Sequence, residues 1–383
     1  MSDVIPLPLE LLIDVLTRLP IKTLVCCACV CKSWHNLVTS PRFITTHLNR
    51  SSLANNSNLL LVRSCSNDDK EENYSLLSCE NEKFCEYAEF ELPIERYENP
   101  YLRIIGTCNG LVCLSDDSVC YMFDIYLWNP SIQKMVALPP VRLTFESYGD
   151  LVHSMGFGFD SLTNDYKVIR IVYFEGPFGC QSPPEVDIFS LSTGIWRNIS
   201  HLGLQYTIYP RAPQAFLNGA AHWPAYDWRR RGNLIVSFHM GDEVFGEMMV
   251  PDSLVHHNWL QGVRVAKFQE WLALIHIKRT DDNNTCCIWV MKEYGIPESW
   301  TKLFSIDMSG GLFTNVAGFT RKGEVLFGTK DAYLVAYDPE VEQVKHLHVR
   351  GSTDSWYRDS FYADAFTESL VLIREKEPPV LHG

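Results

Sequence analysis

The N-terminal part of the chain, up to Pro20, carries the clearest helical pattern of hydrophobic and polar residues. On a wheel of about 100° per residue, four apolar positions form one stripe: Leu9, Leu12, Ile13 and Leu16. Leu11 and Val15 widen the stripe to roughly 200°, whereas an ordinary surface helix needs about 100°. One neighbouring core cannot cover so wide an arc. The pattern therefore predicts a helix that ends at Pro20 and has a second apolar surface, most simply one that binds a partner protein.

Further short helices are expected directly after this one. An unbroken apolar run extends from Leu24 to Cys31, and Trp34 and Val38 continue it at helical spacing. Ser40-Pro41 has the pattern of an N-cap followed by proline at the first helical position. Residues 1–48 are thus expected to form three or four short helices. A unit this small is near the lower limit of an independent fold, and a partner would stabilise it.

The pattern changes after a polar segment, 49–58, which we interpret as a linker. Short apolar runs bounded by turns replace the helical spacing. Their content of β-branched and aromatic residues fits strands that are buried on both faces. The clearest runs are Leu59–Val62, Tyr74–Leu77, Leu111–Leu114, Leu234–Phe238, Leu272–Ile277, Cys286–Met291 and Tyr333–Tyr337.

A strand, a tight polar turn and a second strand recur along this region, each with a Trp or Tyr beside the turn. The spacing of roughly 40–70 residues is typical of four-stranded propeller blades. Because each blade lies between two others, a propeller also explains strands that are apolar on both faces. We expect an all-β propeller of about six or seven blades over 59–377 and a tail over 378–383. The repeats span 126–138, 186–196, 235–250, 288–300 and 333–349.

Composition narrows the possible partners and the compartment. The 383 residues carry a net charge of -13, which argues against nucleic-acid binding through phosphate neutralisation. No apolar stretch approaches the roughly 18 residues of a membrane span, so no membrane association is expected. The thirteen cysteines lack the spacing of a disulfide scaffold, and no secretory signal pattern precedes them. This usage is typical of the cytosol or the nucleus.

Candidate chemistry is sparse. The segment Cys26–Cys31 contains a CxxC, but no second Cys/His pair lies at a matching interval, so small apolar packing is the preferred interpretation over zinc binding. Nucleophile-elbow, phosphate-loop and zinc-protease motifs are missing from the sequence. We therefore expect no catalytic residue, no metal ligand and no cofactor.

A possible binding loop contains Trp228, Arg229 and Arg230. Tryptophan and arginine dominate interface hot spots, which makes these residues candidates for contact with a target. The competing interpretations are core packing for Trp228 and a solvated loop for the arginines.

The helical region resembles the F-box motif in the order of its residues, from Leu7-Pro8 to Val30-Cys31-Lys32-Ser33-Trp34. The resemblance implies docking on the Skp-type adaptor of a cullin–RING ubiquitin ligase. Cys26 and Ala28 stand where related F-boxes tend to carry basic residues, which implies weaker electrostatic attraction to the acidic adaptor. Residues implied to face the adaptor, or to support that face, are Leu7, Pro8, Leu12, Ile13, Leu16, Pro20 and Leu24. Residues implied to pack the module itself are Val30, Cys31 and Trp34.

The strand region resembles the plant F-box-associated domain, and most of all the F-box/kelch-like group that includes S-locus F-box proteins. This resemblance implies a substrate receptor of an SCF-type ubiquitin ligase, in which the propeller captures a target and the F-box holds it near the ubiquitin-conjugating enzyme. The motifs that carry it are Gly106–Val112, Leu127–Ser131, Gly156–Asp160, Asp165–Val168, Asn218–Trp223 and Val335–Asp338.

Two alternatives stay open at this point. The chain could be a scaffold that binds the adaptor without promoting ubiquitination. It could also be a propeller enzyme, which would need carboxylates or metal ligands that converge at the central channel.

Overall fold

The structure is a computed structural model of the 383-residue chain. It describes residues 8–53, 59–65, 72–80, 83–93, 102–116, 124–143, 151–176, 179–180, 183–209, 213–256, 263–279, 284–352 and 361–373.

Four short helices form the N-terminal module, at the upper end of the expected number. The predicted cap at Ser40 is confirmed, because its Oγ accepts a hydrogen bond from the Phe43 N–H at 3.2 Å. The last helix continues to Leu53, so residues 49–53 of the expected linker are helical; residues 54–58 lie outside the described residues. The helices are α1 (Leu9–Leu16), α2 (Ile21–Val30), α3 (Lys32–Val38) and α4 (Pro41–Leu53).

Helix α1 is shorter than predicted. It ends at Leu16, where the Thr17 hydroxyl donates to the Asp14 carbonyl at 3.0 Å. Pro20 lies at the N-cap of α2 instead of closing α1, with a φ of -60° and an extended ψ of 152°. The tight turn between these points lets α2 fold back against α1.

Six antiparallel sheets follow the helices and form the blades of a propeller, in agreement with the sequence prediction. Blade 1 contains β1 (Leu59–Cys65), β2 (Glu72–Glu80), β3 (Lys83–Phe90) and, from the C-terminal end, β26 (Phe361–Phe366). Blade 2 contains β4 (Arg103–Cys108), β5 (Leu111–Asp116), β6 (Asp124–Asn129) and β7 (Lys134–Ala137). Blade 3 contains β8 (Leu151–Asp160), β9 (Asp165–Gly176), β10 (Gly179–Cys180), β11 (Glu185–Ser190) and β12 (Ile195–Asn198).

The remaining strands complete the ring. Blade 4 contains β13 (Thr207–Ile208), β14 (Ala215–Leu217), β15 (Ala220–Asp227), β16 (Gly232–His239) and β17 (Val244–Met249), and a short helix follows it, α5 (Asp252–Val255). Blade 5 contains β18 (Val263–Phe268), β19 (Trp271–Arg279), β20 (Asn284–Met291) and β21 (Trp300–Asp307). Blade 6 contains β22 (Phe313–Phe319), β23 (Val325–Thr329), β24 (Tyr333–Asp338) and β25 (Gln343–Arg350).

Blade 1 closes the ring because it combines the two ends of the strand region. Strand β26 pairs with β1, with Phe366 opposite Leu59 and Ser64 opposite Phe361. The inner strands β22 and β26 then meet so closely that a Cβ at Gly318 would overlap the carbonyl oxygen of Ala363. Closure pairs the inner edge of β1 with β26 and joins the last blade to the first.

The core lies between the blades and is richest at their middle strands. Every residue of β1 is buried, as is nearly every residue of β5 and β16, which explains their unbroken apolar runs. Tryptophans link neighbouring blades: the Trp223 indole N–H donates to the carbonyl of Met155 at 2.8 Å. The prediction of strands buried on both faces is confirmed.

The propeller has two distinct faces because neighbouring strands of each blade are antiparallel. Turns from the first to the second strand and from the third to the fourth strand lie on one face. We call this the helix face, because Ile132 and Leu370 at its surface pack into the core of the helical module. Connections from the second to the third strand, and from one blade to the next, lie on the opposite loop face. Several helix-face turns are two residues long, such as Asn109-Gly110 with left-handed φ values of 52° and 79°.

Candidate protein-interaction surfaces

The helical module has a small core of its own. Leu16 and Leu24 are fully buried in it, so they support the surface of the module instead of forming it. Leu12 and Ile13 are half-buried at the edge of this core. Pro8 and Pro20 are exposed, and Leu7 lies outside the described residues. The other buried members are Ile21, Ala28, Val38, Phe43 and Leu370.

An apolar surface remains on α1 after the core is filled. Leu11 and Val15 lie one helical turn apart and expose 54% and 50% of their surface, and Leu9 is exposed beside them. A second apolar surface on this helix was predicted from the width of its apolar arc, which Leu11 and Val15 extend. The family motif did not single them out.

Two of the three residues expected to pack the module are on its surface, so that prediction is wrong for them. Val30 exposes 69% of its surface, and Cys31 is also exposed; Trp34 alone packs partly against the core. The reason is the break between α2 and α3, where Cys31 is extended with a φ of -159°. Its thiol contacts the Ser33 hydroxyl at 3.1 Å, and this hydrogen bond lowers the pKa of Cys31.

The other cysteines of α2 are also less buried than expected. Cys26 and Cys29 are exposed and Cys27 is half-buried, so small apolar packing is not their common role. Within the described ranges, no three His, Cys, Asp or Glu side chains are placed to hold a metal ion.

A strap after β26, residues 367–373, joins the helical module to the propeller. Asn129 donates from Nδ2 to the carbonyls of Ser369 and Val371, at 2.9 and 2.7 Å, and is itself buried. Leu370 points into the helical core, whereas Val371 packs in the propeller core. The Trp-Asn-Pro motif of the sequence therefore forms the joint between the two parts.

Polar contacts reinforce this joint at its rim. The Lys22 ammonium lies 5.5 Å from the centre of the Tyr87 ring, and the Tyr87 hydroxyl donates to Glu368 at 3.4 Å. Burial raises the pKa of Glu368. Arg321 reaches the strap from blade 6 and donates to the Thr367 hydroxyl at 2.8 Å.

A charged cluster borders the apolar surface of α1. Asp14 contacts Arg50 of α4 at 2.9 Å and Arg18 at 2.7 Å. These hydrogen bonds, that of Arg50 first, lower the pKa of Asp14. The cluster ties α1 to α4 and leaves Leu11 and Val15 as apolar neighbours of a polar rim, the usual anatomy of a protein interface.

On the loop face, Trp228 and the arginines occupy the turn between β15 and β16, which we call the Trp228 turn (residues 228–231). Asp227 is buried at its base, and its Oδ1 accepts hydrogen bonds from the backbone N–H groups of Arg229 and Arg230 at 2.8 and 3.2 Å. Arg231 completes the turn with a left-handed φ of 51°.

The Trp228 side chain is held in place although 67% of its surface is exposed. Its indole N–H donates to Thr207 Oγ1 at 3.0 Å, and its ring meets Tyr226 edge-on at 4.8 Å. Core packing, the competing interpretation, applies to Trp128 and Trp223, which are buried. Trp228 is therefore accessible, as a target contact requires.

One carboxylate on an inner strand is Asp364 of β26. Its Oδ2 accepts from Thr107 at 2.5 Å and from the Tyr362 hydroxyl at 3.3 Å, and burial raises its pKa. These contacts explain Asp364 as a link between the inner strands of blades 1 and 2.

In the described part of the chain, no helix is long and apolar enough to cross a membrane.

A helical module on one face of a closed six-bladed propeller is the architecture that the F-box resemblance led us to expect. Comparison with known families agrees: the chain matches the F-box domain over residues 6–46 and the F-box associated beta propeller domain over residues 53–370. The chain belongs to this family, whose members are substrate-recognition subunits of SCF-type ubiquitin ligases.

Similar proteins come from Arabidopsis thaliana. F-box protein CPR1 is 27% identical over 96% of this chain and 89% of its own length. F-box/kelch-repeat protein At3g23880 is 28% identical over 78% of this chain and 79% of its own length. Among solved structures, an oligogalacturonate lyase in complex with manganese covers 79% of this chain and 82% of its own, at 11% identity and a TM-score of 0.40. A likeness of that degree supports no conclusion about function.

Proposed function

We propose that this chain presents a target protein to a ubiquitin ligase without performing chemistry itself. The helical module docks on a Skp-type adaptor, which connects it to cullin and RING subunits, and the loop face of the propeller binds the target. Proximity is the mechanism, since binding raises the effective concentration of the target beside the ubiquitin-charged enzyme.

The apolar surface left on α1 is the observation that carries the docking proposal. Leu11 and Val15 are half-exposed beside a helical core that is already complete. Such a pair supplies the central apolar contacts of an interface, and the cluster of Asp14, Arg18 and Arg50 supplies part of the rim. Ala28 is buried, so a basic residue at this position would have to leave the helical core in order to attract the acidic adaptor.

Adaptor capture by purified protein tests this proposal. The variant Leu11→Glu with Val15→Glu places two charges on the docking surface without touching the buried Leu16 or Leu24. We expect adaptor affinity to fall by about tenfold or more, with an unchanged melting temperature. Leu162→Glu with Ile195→Glu is the matched control, because these two apolar residues of blade 3 are 74% and 64% exposed. Equal capture of both variants would reject docking through α1.

We further propose that bound targets are ubiquitinated and degraded, in the cytosol or nucleus. Target levels with and without proteasome inhibition separate this role from that of a non-degradative scaffold. Proximity labelling followed by mass spectrometry would identify the target. Self-incompatibility, the process of the S-locus proteins that the sequence resembles, would be supported by a secreted ribonuclease among the labelled proteins.

A further inference from the structure

We propose that the Trp228 turn binds an acidic segment of the target protein, with carboxylates at Arg229 and Arg231 and an apolar side chain on the Trp228 ring. This inference rests on the proposed function, because it names the chemistry that the target receptor recognises. The proposed ligand is a protein segment. Binding to a lipid surface is the competing outcome that the experiment below distinguishes.

The turn is held in one conformation before any partner arrives. Asp227 accepts two backbone N–H groups from its base, and the carbonyl of Arg231 contacts His256 Nδ1 at 3.1 Å. Thr207 and Tyr226 fix the Trp228 ring in the same way. A binding loop that is already ordered loses little conformational entropy on association, so more of its contact energy contributes to affinity.

The three arginines of the turn differ in whether a carboxylate of the protein already pairs with them. Arg230 contacts both nearby carboxylates, Asp227 and Glu247, each at 3.5 Å. Glu247 also accepts a hydrogen bond from the Tyr206 hydroxyl, which raises the pKa of Tyr206 to about 12. Among the residues that the structure describes, no acidic side chain pairs with Arg229 or Arg231. These two guanidinium groups are therefore available to external carboxylates.

The rest of the molecule makes this local positive charge selective. The chain carries a net charge of -13, so an acidic segment is repelled by much of the surface. On the helix face, by contrast, Arg197 and Lys167 are already paired with Glu243 at 2.7 and 2.9 Å. Attraction at the Trp228 turn and repulsion elsewhere would fix where such a segment binds.

Carboxylates suit this turn better than a single phosphate group. Three convergent arginines would form a phosphate site, but Arg230 is engaged by Asp227 and Glu247. The remaining charges lie at two separate positions of the turn, on either side of Arg230. Carboxylates spaced along an extended segment can meet both, while an aromatic or aliphatic residue between them contacts Trp228.

Selection from a random peptide phage library on the full chain, bound to its adaptor, tests the proposal. We expect the selected peptides to be enriched in Asp and Glu together with an aromatic or aliphatic residue. Their affinity should fall by about tenfold or more in the variant Arg229→Ser with Arg231→Ser, and in Trp228→Ala. The control is Arg142→Ser with Arg350→Ser, which removes the same charge from other exposed positions of the propeller.

Several results would overturn the proposal. These are neutral or basic selected peptides, a selection without enrichment, equal binding by the Arg229/Arg231 variant and the control, or displacement of the peptides by inorganic phosphate. Binding of the wild type, but not of the Arg229/Arg231 variant, to vesicles containing phosphatidylserine would identify a membrane contact instead. Adaptor capture is measured on the same samples. If it fails in wild type, the proposed function has failed separately from the acidic-segment proposal.

Discussion

The two faces of the propeller are built in different ways. On the helix face some connections are two-residue turns, such as Asn109-Gly110, and helices cover part of the surface. On the loop face, residues 228–231 connect β15 to β16. The described loop-face turn at 228–231 exposes a tryptophan and three arginines.

In the proposed function, the helix face makes the contact with the adaptor and the loop face makes the contact with the target. The surface that we propose for docking is apolar and belongs to a regular helix, α1, so it depends on only a few side chains. The loop face can change its side chains without disturbing the blades, because its connections lie beyond the ends of the strands. A substrate receptor that binds a shared adaptor and a specific target needs one constant surface and one variable surface.

The largest effect is expected where the ring closes, since both faces depend on it. Gly318→Ala places a methyl group against the backbone carbonyl of Ala363, which cannot move without parting β22 from β26. We expect the free energy of unfolding to fall by about 3 kcal/mol or more, measured by chemical denaturation. Gly310→Ala is the control, because a Cβ there meets no atom within 4 Å. Similar losses in both variants would contradict the role of closure.

Acid should weaken the helix face at blades 4 and 5. His222 is buried between the Ala215 carbonyl and the Tyr294 hydroxyl, at 3.0 and 2.7 Å, and burial lowers its pKa from 6.5 to about 4. The unfolded chain takes up this proton near pH 6.5 but the folded chain does not, so stability is lost as pH falls from about 7 to about 4. The loss from this group is on the order of 3 kcal/mol.

Thermal unfolding across this pH range measures the effect. His222→Gln should be less stable than wild type at pH 7 and should lose less stability on acidification. His35→Gln, at an exposed position of α3, is the control for loss of a histidine as such. Parallel pH profiles for wild type and His222→Gln would count against the assignment.

A smaller loss is expected at the joint between the helices and the propeller. Asn129→Ala leaves the buried carbonyls of Ser369 and Val371 without their donor, at a cost of about 2 kcal/mol. Hydrogen exchange should increase in the strap and in α2, and stay unchanged at the Trp228 turn. Asn284→Ala, at an exposed position of strand β20, should cost less than about 1 kcal/mol. Faster exchange at both faces would show that the joint does more than hold the helices.

The smallest effect distinguishes the surface of the helical module from its core. Val30→Ala should change the free energy of unfolding by less than about 0.5 kcal/mol, because the side chain is exposed. Leu24→Ala should cost about 2–4 kcal/mol, because Leu24 is fully buried in the helical core. Comparable costs would mean that Val30 packs the module after all.

The strands that could be predicted are those in the middle of the blades. Runs such as Leu59–Val62 and Leu111–Leu114 belong to second strands, which are buried on both sides. The recurring strand–turn–strand units are the outer hairpins of blades 2 to 6, for example β16 with β17. Inner strands gave no comparable signal, because they alternate between the channel and neighbouring blades, as the mixed burial of β22 illustrates.

The candidate surfaces also include features that the sequence predicted and features that it did not predict. The excess apolar arc of α1 predicted that some residues would lack a cover, and Leu11 and Val15 are exposed. The exposure of Val30 was not predictable, because an apolar residue at the end of a helix gives no sign of which way the next helix turns. Nor did the sequence indicate that Asn129 would hold a strap 240 residues further along the chain.

Periodicity in the chain was enough to predict the helices and the middle strands, because these depend on contacts between residues close in sequence. The closure of blade 1 by β26, the strap under the helices and the opposition of the helix face and the loop face emerge only when the ring is assembled. Each of these features joins residues far apart in the chain. Their pairing depends on complementary shape and hydrogen bonding in three dimensions, which leaves no periodic trace in the order of residues.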